Sequence, residues 1–453
     1  MIDLGLLLLF SFFGVIVGIA TGLLPGLHVN NIALILLSLS AAIVAVCEPL
    51  LAFGLSESFL LLLIAAFITG CATSHTFHDC IPTTFLGAPE EDTALSVLPA
   101  HKLLLEGKGY EAVAYSALGS YGAIVVCFLL LFPLRFVIGQ PLMIYENLQS
   151  IMAWVLIAIS ILMIATEKSK IEDRGLTGKP AYAAGMGFAL FVFFLSGIFG
   201  LVILDFPVDS PIGLSAPVLF PALAGLFGMP TLLTSLWTKP VIPEQHIAPL
   251  SLEKKQRKSS ILSVITGSLA GVLVSIIPGI TSATGTIMAM NARGESDNRQ
   301  TIVTLSAVNT ASAFTVMAVL FIILRPRSGA AIAVQELIAV EEWTAVLMPS
   351  NLAYLLITLV FAGALSFILT LVIGKWFARK FIKLPYCALV GGTILSVCVL
   401  VFIFTGVLGL CILAVATLIG LLPVQWGVRR SHCMGILLIP IPVSYTHLTL
   451  PTN

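Results

Sequence analysis

Two stretches of the chain combine a backbone break with small polar side chains. GVIVGIATGLLPGLHVNNIALIL at 14–36 aligns without gaps on GSLAGVLVSIIPGITSATGTIMA at 267–289, so Gly14, Gly18, Pro25 and Gly26 fall on Gly267, Gly271, Pro278 and Gly279. Proline lacks the N–H that a helix needs and glycine relaxes φ, so each copy breaks its helix at the Pro-Gly pair. Just downstream stand His28, Asn30 and Asn31 in the first copy and Thr281, Ser282 and Thr284 in the second. A helix that restarts at Asn, Ser or Thr is capped by that side chain, and its free N–H groups and positive dipole end point inward. Such an end holds a carboxylate or phosphate without Lys or Arg. The same hydroxyls and freed carbonyls can ligate Na⁺, and ordinary capping without a ligand is the plain alternative.

The segment 71–110, CATSHTFHDCIPTTFLGAPEEDTALSVLPAHKLLLEGKGY, is the most polar part of the first half. It is too long for a tight turn and reads as too polar to span, so a structured loop is expected, either re-entrant and lining a pathway or outside the membrane. Thr83, Thr84 and the acidic Glu90, Glu91 and Asp92 are its groups of interest. Cys71, His75, His78, Asp79 and Cys80 also permit a metal site, with His75 and His78 spaced for one helix face. No H-E-x-x-H and no G-x-S-x-G elbow occurs, which leaves a metal-dependent or hydrolytic enzyme with little support. Glu57, inside the apolar LLAFGLSESFLLLL, is a candidate for carrying a coupling ion if it faces the interior, or reaches the interface if it lies near a helix end. Asn309, in SAVNTAS, is a weaker candidate of the same kind, with an interhelical hydrogen bond as its alternative. The Pro- and Gly-rich 213–233 reads as a kinked, closely packed helix with no chemistry assigned.

The elements that must position these groups are membrane helices. Of 453 residues, 58% are hydrophobic and 10% charged, against about 25% charged in a soluble domain; the bilayer must therefore be part of the solvent. Apolar runs cover roughly 4–24, 27–47, 50–70, 111–138, 148–166, 181–203, 213–236, 260–290, 301–324, 344–373, 386–404, 405–428 and 433–443, on the order of eleven or twelve spans at about 20 residues each. A helix over 4–47 would be about 65 Å long, twice the hydrocarbon core, so the chain breaks or turns near Pro25. The expected fold is an all-α polytopic transmembrane bundle built from two inverted repeats, each with a Pro-Gly-broken re-entrant or discontinuous helix. Residues 1–238 form the first repeat, 239–259 a basic cytoplasmic linker and 260–442 the second. The polar tail 443–453, VSYTHLTLPTN, resembles translated adapter read-through and reads as non-native.

Charge placement sets the orientation. The first Lys or Arg is Lys102, and basic clusters occupy 168–179, 239–258 and 375–383. Placing all three in the cytoplasm requires 260–290 to return to its starting side. If 4–47 does likewise, the two repeats enter from opposite sides, as in many secondary transporters. A net charge of zero and the lack of a basic face argue against nucleic acid as a partner. The eight scattered cysteines form no disulfide framework and suit a cytoplasmic (inner) membrane of bacterial or archaeal type.

The motifs resemble a known family. GIATGLLPGL and GVLVSIIPGI look like the G-xxx-G…L-P-G-L-G signature of TctA-like large permease subunits of tripartite tricarboxylate transporters. PTTFLGAPEEDTALSVLPAHKLLLEGKGYEAVAYSALGS looks like that family's Pro- and Gly-containing loop, and LAGLFGMP like its L-x-G-L-F-G segment. His28 and Thr281 stand where a Gly usually follows, and NTASAF and ILRPRSG replace the expected A-P-E-A and G-I-P-G, which marks a divergent, archaeal-type branch. The resemblance implies a secondary transporter for an organic anion, driven by an ion gradient. It brings an extracytoplasmic solute-binding protein and a small membrane subunit as partners in addition to the lipid bilayer.

The combined expectation is a permease without a cofactor, coupled to Na⁺ or H⁺. Its small anionic solute, a carboxylate, would sit between the two breaks among Pro25, Gly26, His28, Asn30, Asn31, Thr83, Thr84, Pro278, Gly279, Thr281, Ser282 and Thr284. Glu57 and Asn309 would serve the coupling ion. The rivals are an intramembrane metal enzyme using His75, His78 and Asp79, and a channel or scaffold. Gly26→Val and Gly279→Val are expected to abolish solute uptake while leaving membrane insertion intact; normal uptake by both variants would remove the breaks from the mechanism.

Overall fold

In the computed structural model the described residues are 2–24, 33, 36–37, 39–46, 55–87, 97–165, 167, 179–204, 206–208, 210–211, 218–238, 243–247, 254–277, 282–294, 297–344, 346–380 and 385–440. Most of them are helical, with no strand among them. The helices are α1 (Ile2–Leu23), α2 (Ser40–Val46), α3 (Glu57–His78), α4 (Cys80–Leu86), α5 (Val97–Leu105), α6 (Gly109–Ile138), α7 (Ile144–Ser150), α8 (Met152–Ala165) and α9 (Lys179–Ile203). Next come α10 (Leu219–Leu223), joined by a π-turn at Ala224–Gly228 to α11 (Met229–Thr238), then α12 (Lys254–Ile276), α13 (Ser282–Arg293), α14 (Asn298–Ile323), α15 (Gly329–Leu337), α16 (Ser350–Lys380) and α17 (Tyr386–Trp426). A 3₁₀ turn at Arg430–Met434 leads into α18 (Gly435–Leu438).

Among the described residues nine helices are long and apolar enough to cross a bilayer, and Ala153–Ala165 is a shorter apolar one. The chain is thus a polytopic membrane protein. Side chains such as Leu129, Trp154, Phe191, Leu395 and Leu418 are exposed and apolar, the surface that a hydrocarbon solvent requires. Fewer helices are found than apolar runs, partly because α17 joins two of them. Its 41 residues bend at Gly406, whose φ of 64° is left-handed, and this is where the apolar runs 386–404 and 405–428 meet.

The Gly-xxx-Gly pairs have one job in both repeats. A Cβ on Gly14 would lie 2.2 Å from the carbonyl oxygen of Phe67, and one on Gly18 would lie 2.5 Å from that of Cys71. On Gly267 and Gly271 the same atom would meet the carbonyl oxygens of Thr304 and Val308 at 2.7 and 2.5 Å. The glycines therefore let α1 lie backbone to backbone on α3, and α12 on α14, which are among the most extensive helix contacts in the molecule. The register is the same in each repeat: residues four apart on the first helix meet residues four apart on the second.

The main core takes residues from both sides of the linker, Leu63 and Ile124 with Phe314 and Leu355 among them. A second core joins α8, α9 and the π-turn to α17 and the C-terminal turn. A third, around Phe85, Phe220 and Val401, joins α4 to the α10 and α17 region. Part of the linker is built in: Gln245 accepts from the Gly109 N–H at 2.7 Å and donates to the Leu104 carbonyl at 3.0 Å, capping α6. Close packing also holds around the π-turn, where a Cβ on Gly225 would reach Ala416 at 2.5 Å.

One expectation is corrected. The polar segment from Cys71 is not a loop: the helix that begins at Glu57 carries on to His78 and, past Asp79, to Leu86, and it is buried over this stretch. Its polar groups can lie at membrane depth because other helices surround and bond to them.

Gly18→Leu and Gly271→Leu should each destabilise the purified protein by about 1–3 kcal/mol, read as a lower midpoint of thermal unfolding in detergent. Gly5→Leu, where nothing lies within 4 Å of the added atom, should leave it unchanged. Equal midpoints for all three would show that these contacts do not bear on stability.

Candidate functional site

The joint between α3 and α4 is where the sequence puts an acid and a proline one turn apart. The Asp79 N–H still bonds to the His75 carbonyl at 3.0 Å, and the Thr83 N–H reaches the Asp79 carbonyl at 3.4 Å. Pro82 has no N–H to offer the carbonyl of His78, so the ladder loses a rung here. The Thr83 hydroxyl donates to the Asp79 carbonyl at 2.7 Å. The Asp79 side chain is 3% exposed, and its Oδ2 accepts from Nδ2 of Asn309 on α14 at 2.8 Å. Asn309 is itself buried. The contact therefore joins residues 230 positions apart in the chain, inside the helical bundle.

A polar network surrounds it. His75 Nδ1 lies 3.1 Å from the Thr21 hydroxyl of α1. His78 Nδ1 lies 2.7 Å from the Ser74 carbonyl; a carbonyl only accepts, so this nitrogen carries the hydrogen. Nε2 of His78 is then left to accept from the Thr370 hydroxyl of α16, 3.3 Å away. Thr76 meets Thr310 at 3.2 Å, and Ser116 of α6 meets Ser306 at 2.7 Å. Hydroxyls, an amide, two imidazoles and one carboxylate are thus drawn from α1, α3, α6, α14 and α16, and none of these side chains is Lys or Arg.

The candidates named from sequence are distributed as follows. Thr83 and Thr84 are buried on α4 beside Asp79. Ser282 and Thr284 are buried in the first turn of α13, which begins at Ser282. Asn309 is inside and bonded to Asp79. Pro25, Gly26, His28, Asn30, Asn31, Pro278, Gly279 and Thr281 lie outside the described residues. Glu57 is exposed in the first turn of α3, next to the cap Ser56, whose hydroxyl accepts from the Phe59 N–H. A carboxylate there suits the positive end of the helix dipole and stands apart from the network. Asp79 is instead a carboxylate of the interior, and the sequence marks it only as a metal-ligand candidate. The signal that singled out Glu57, an acid within an apolar helix, applies with more force to Asp79 once 71–86 is recognised as helix. Thr21, Ser74 and Thr370 carry no sequence mark of their own.

The metal reading loses its geometry. His75 turns to Thr21 and His78 to Ser74 and Thr370. Among the described residues no group of three or more His, Cys, Asp or Glu side chains converges to hold an ion.

The family model described as Tripartite tricarboxylate transporter TctA family matches residues 8–435. An uncharacterized protein of Methanocaldococcus jannaschii is 30% identical over 440 residues, which is 96% of this chain and 97% of that protein. No solved structure matches.

Asp79→Asn, Asn309→Ala and the double variant should give a coupling free energy of about 0.6–1.7 kcal/mol in a double-mutant cycle on detergent unfolding. Strictly additive effects would mean that the two side chains do not interact.

Proposed function

Because the chain belongs to the tripartite tricarboxylate transporter TctA family, we propose that it is the membrane permease of a secondary active transporter that carries a small organic anion, a carboxylate, with Na⁺ or H⁺. The contact of Asp79 with Asn309 supports this reading most directly. An acid at membrane depth is expensive to keep. Here it joins two helices from different repeats, the arrangement in which a site between halves opens to one side and then the other.

Charge explains why the two solutes would travel together. An anion brought into a network that contains the Asp79 carboxylate is repelled by it, and the repulsion is strong at low dielectric. A cation held at Asp79 offsets that repulsion, so each solute favours the binding of the other. The carboxylate would be held by helix N-termini and hydroxyls: Ser282 and Thr284 at the start of α13, Thr83 and Thr84 beside Asp79, and the break residues Pro25, Gly26, His28, Asn30, Asn31, Pro278, Gly279 and Thr281. Asn309 would orient the cation ligand. The permease would sit in the cytoplasmic membrane, receive solute from an extracytoplasmic binding protein and assemble with a small membrane subunit, as the family description implies.

The test is uptake of radiolabelled citrate and smaller dicarboxylates by proteoliposomes containing the purified chain, with and without an inward Na⁺ or pH gradient. Uptake above equilibrium that needs one of the gradients, and that Asp79→Ala lowers at least tenfold, is expected. Uptake that ignores both gradients would indicate a channel. An Asp79→Ala variant as fast and as concentrative as the parent would remove Asp79 from the coupling site.

A further inference from the structure

Among the described residues a second carboxylate is as deeply buried as Asp79: Glu167, 1% exposed, just beyond the end of α8. Its Oε2 lies 2.5 Å from Nε2 of His432, which is fully buried in the 3₁₀ turn after α17. The other oxygen, Oε1, and the other imidazole nitrogen, Nδ1, are both buried and have no hydrogen-bond partner among the described residues. A hydrogen on Nε2 satisfies the contact and leaves Nδ1 as a bare lone pair. Two buried acceptor atoms beside one short contact are an arrangement that added protons satisfy.

Among the described residues one further charge lies close by. Arg429 Nε lies 3.6 Å from Glu167 Oε2. Arg430 is directed elsewhere, to the Phe227 carbonyl and the Thr231 hydroxyl. From α9, Ser196 bonds to the His432 carbonyl, not to its ring. The titratable groups of α9 are Lys179 and Tyr182, and the Tyr182 hydroxyl is bonded to the Ala165 carbonyl. Helix α8 carries no titratable side chain, the π-turn carries none, α18 carries none, and α17 contributes Tyr386 and the cysteines 387, 398 and 411. The neighbouring Cys433 is a buried free thiol.

We propose that Glu167 and His432 form a proton-binding site, separate from the Asp79 network, that carries a coupling proton through the transport cycle. The proposal rests on the transporter reading and extends it to a second cation. A substrate with two or more negative charges moves against an inside-negative potential unless at least as many positive charges travel with it. One cation at Asp79 does not balance such a substrate, and a proton on the Glu167 and His432 pair adds the next charge. The proton is taken from water on one side of the membrane, forming an O–H bond at Glu167 or an N–H bond at His432, and that bond breaks when the proton returns to water on the other side. In the sequence Glu167 directly precedes the basic stretch 168–179, which the positive-inside rule would place in the cytoplasm, so release would be to that side.

Two readouts on Glu167→Gln and His432→Gln test it. In proteoliposomes, protons and citrate are counted together with an internal pH dye. Both variants should keep thermal stabilisation by citrate but lose about one proton per citrate carried, and an unchanged proton-to-citrate ratio overturns the proposal. In detergent, infrared difference spectra between pH 8 and pH 5 should contain a carboxyl or imidazole band that is lost in both variants. Spectra identical to those of the parent overturn the proposal even if citrate is not transported. Absence of citrate uptake by the parent, with the band present, would instead count against the transporter reading alone.

Discussion

Inside a bilayer no water is at hand to pair with a buried polar group, so such a group is costly unless it finds a partner within the protein. The course of the helix from Glu57 to Leu86 depends on this. Its second half holds His75, Thr76, His78, Asp79, Thr83 and Thr84, all buried, and it spans because α1, α6, α14 and α16 bring hydroxyls, carbonyls and an amide to meet it. Arg135 obeys the same rule near the end of α6: its guanidinium donates to the carbonyls of Trp343 and Thr344 and lies over the Trp343 ring.

Those partners can reach the segment only if the helices come close, and the glycine pairs provide the approach. With Gly14 and Gly18 against α3, and Gly267 and Gly271 against α14, each repeat brings its first helix onto its next long one at backbone distance. This close fit sets Thr21 beside His75. Helices α3 and α14, each carrying its own repeat's glycine helix, then meet through Asp79 and Asn309 and through Thr76 and Thr310.

The two buried carboxylates sit in different surroundings. Asp79 lies among hydroxyls, an amide and imidazoles in the main core, and Glu167 lies in the second core with a histidine and an arginine.

The sequence by itself determined the membrane class, the repeat and the family resemblance, because these depend on composition and on residues close together in the chain. An apolar run of sufficient length has to span, and a Gly-xxx-Gly followed by Pro-Gly is visible without any knowledge of what it touches. Sequence leaves the place of Glu57 open between the interior and a helix end, because its neighbours are apolar; the structure shows it exposed at a helix start. Asp79 was hidden by polar neighbours, which locally resemble a loop. Only the tertiary structure could decide that Asp79 and those neighbours are buried, since their partners, Thr21, Thr310, Asn309 and Thr370, lie between 54 and 292 residues away from the groups they meet. A hydrogen bond between side chains so far apart is decided by how helices pack, and packing leaves little trace in a local stretch of sequence.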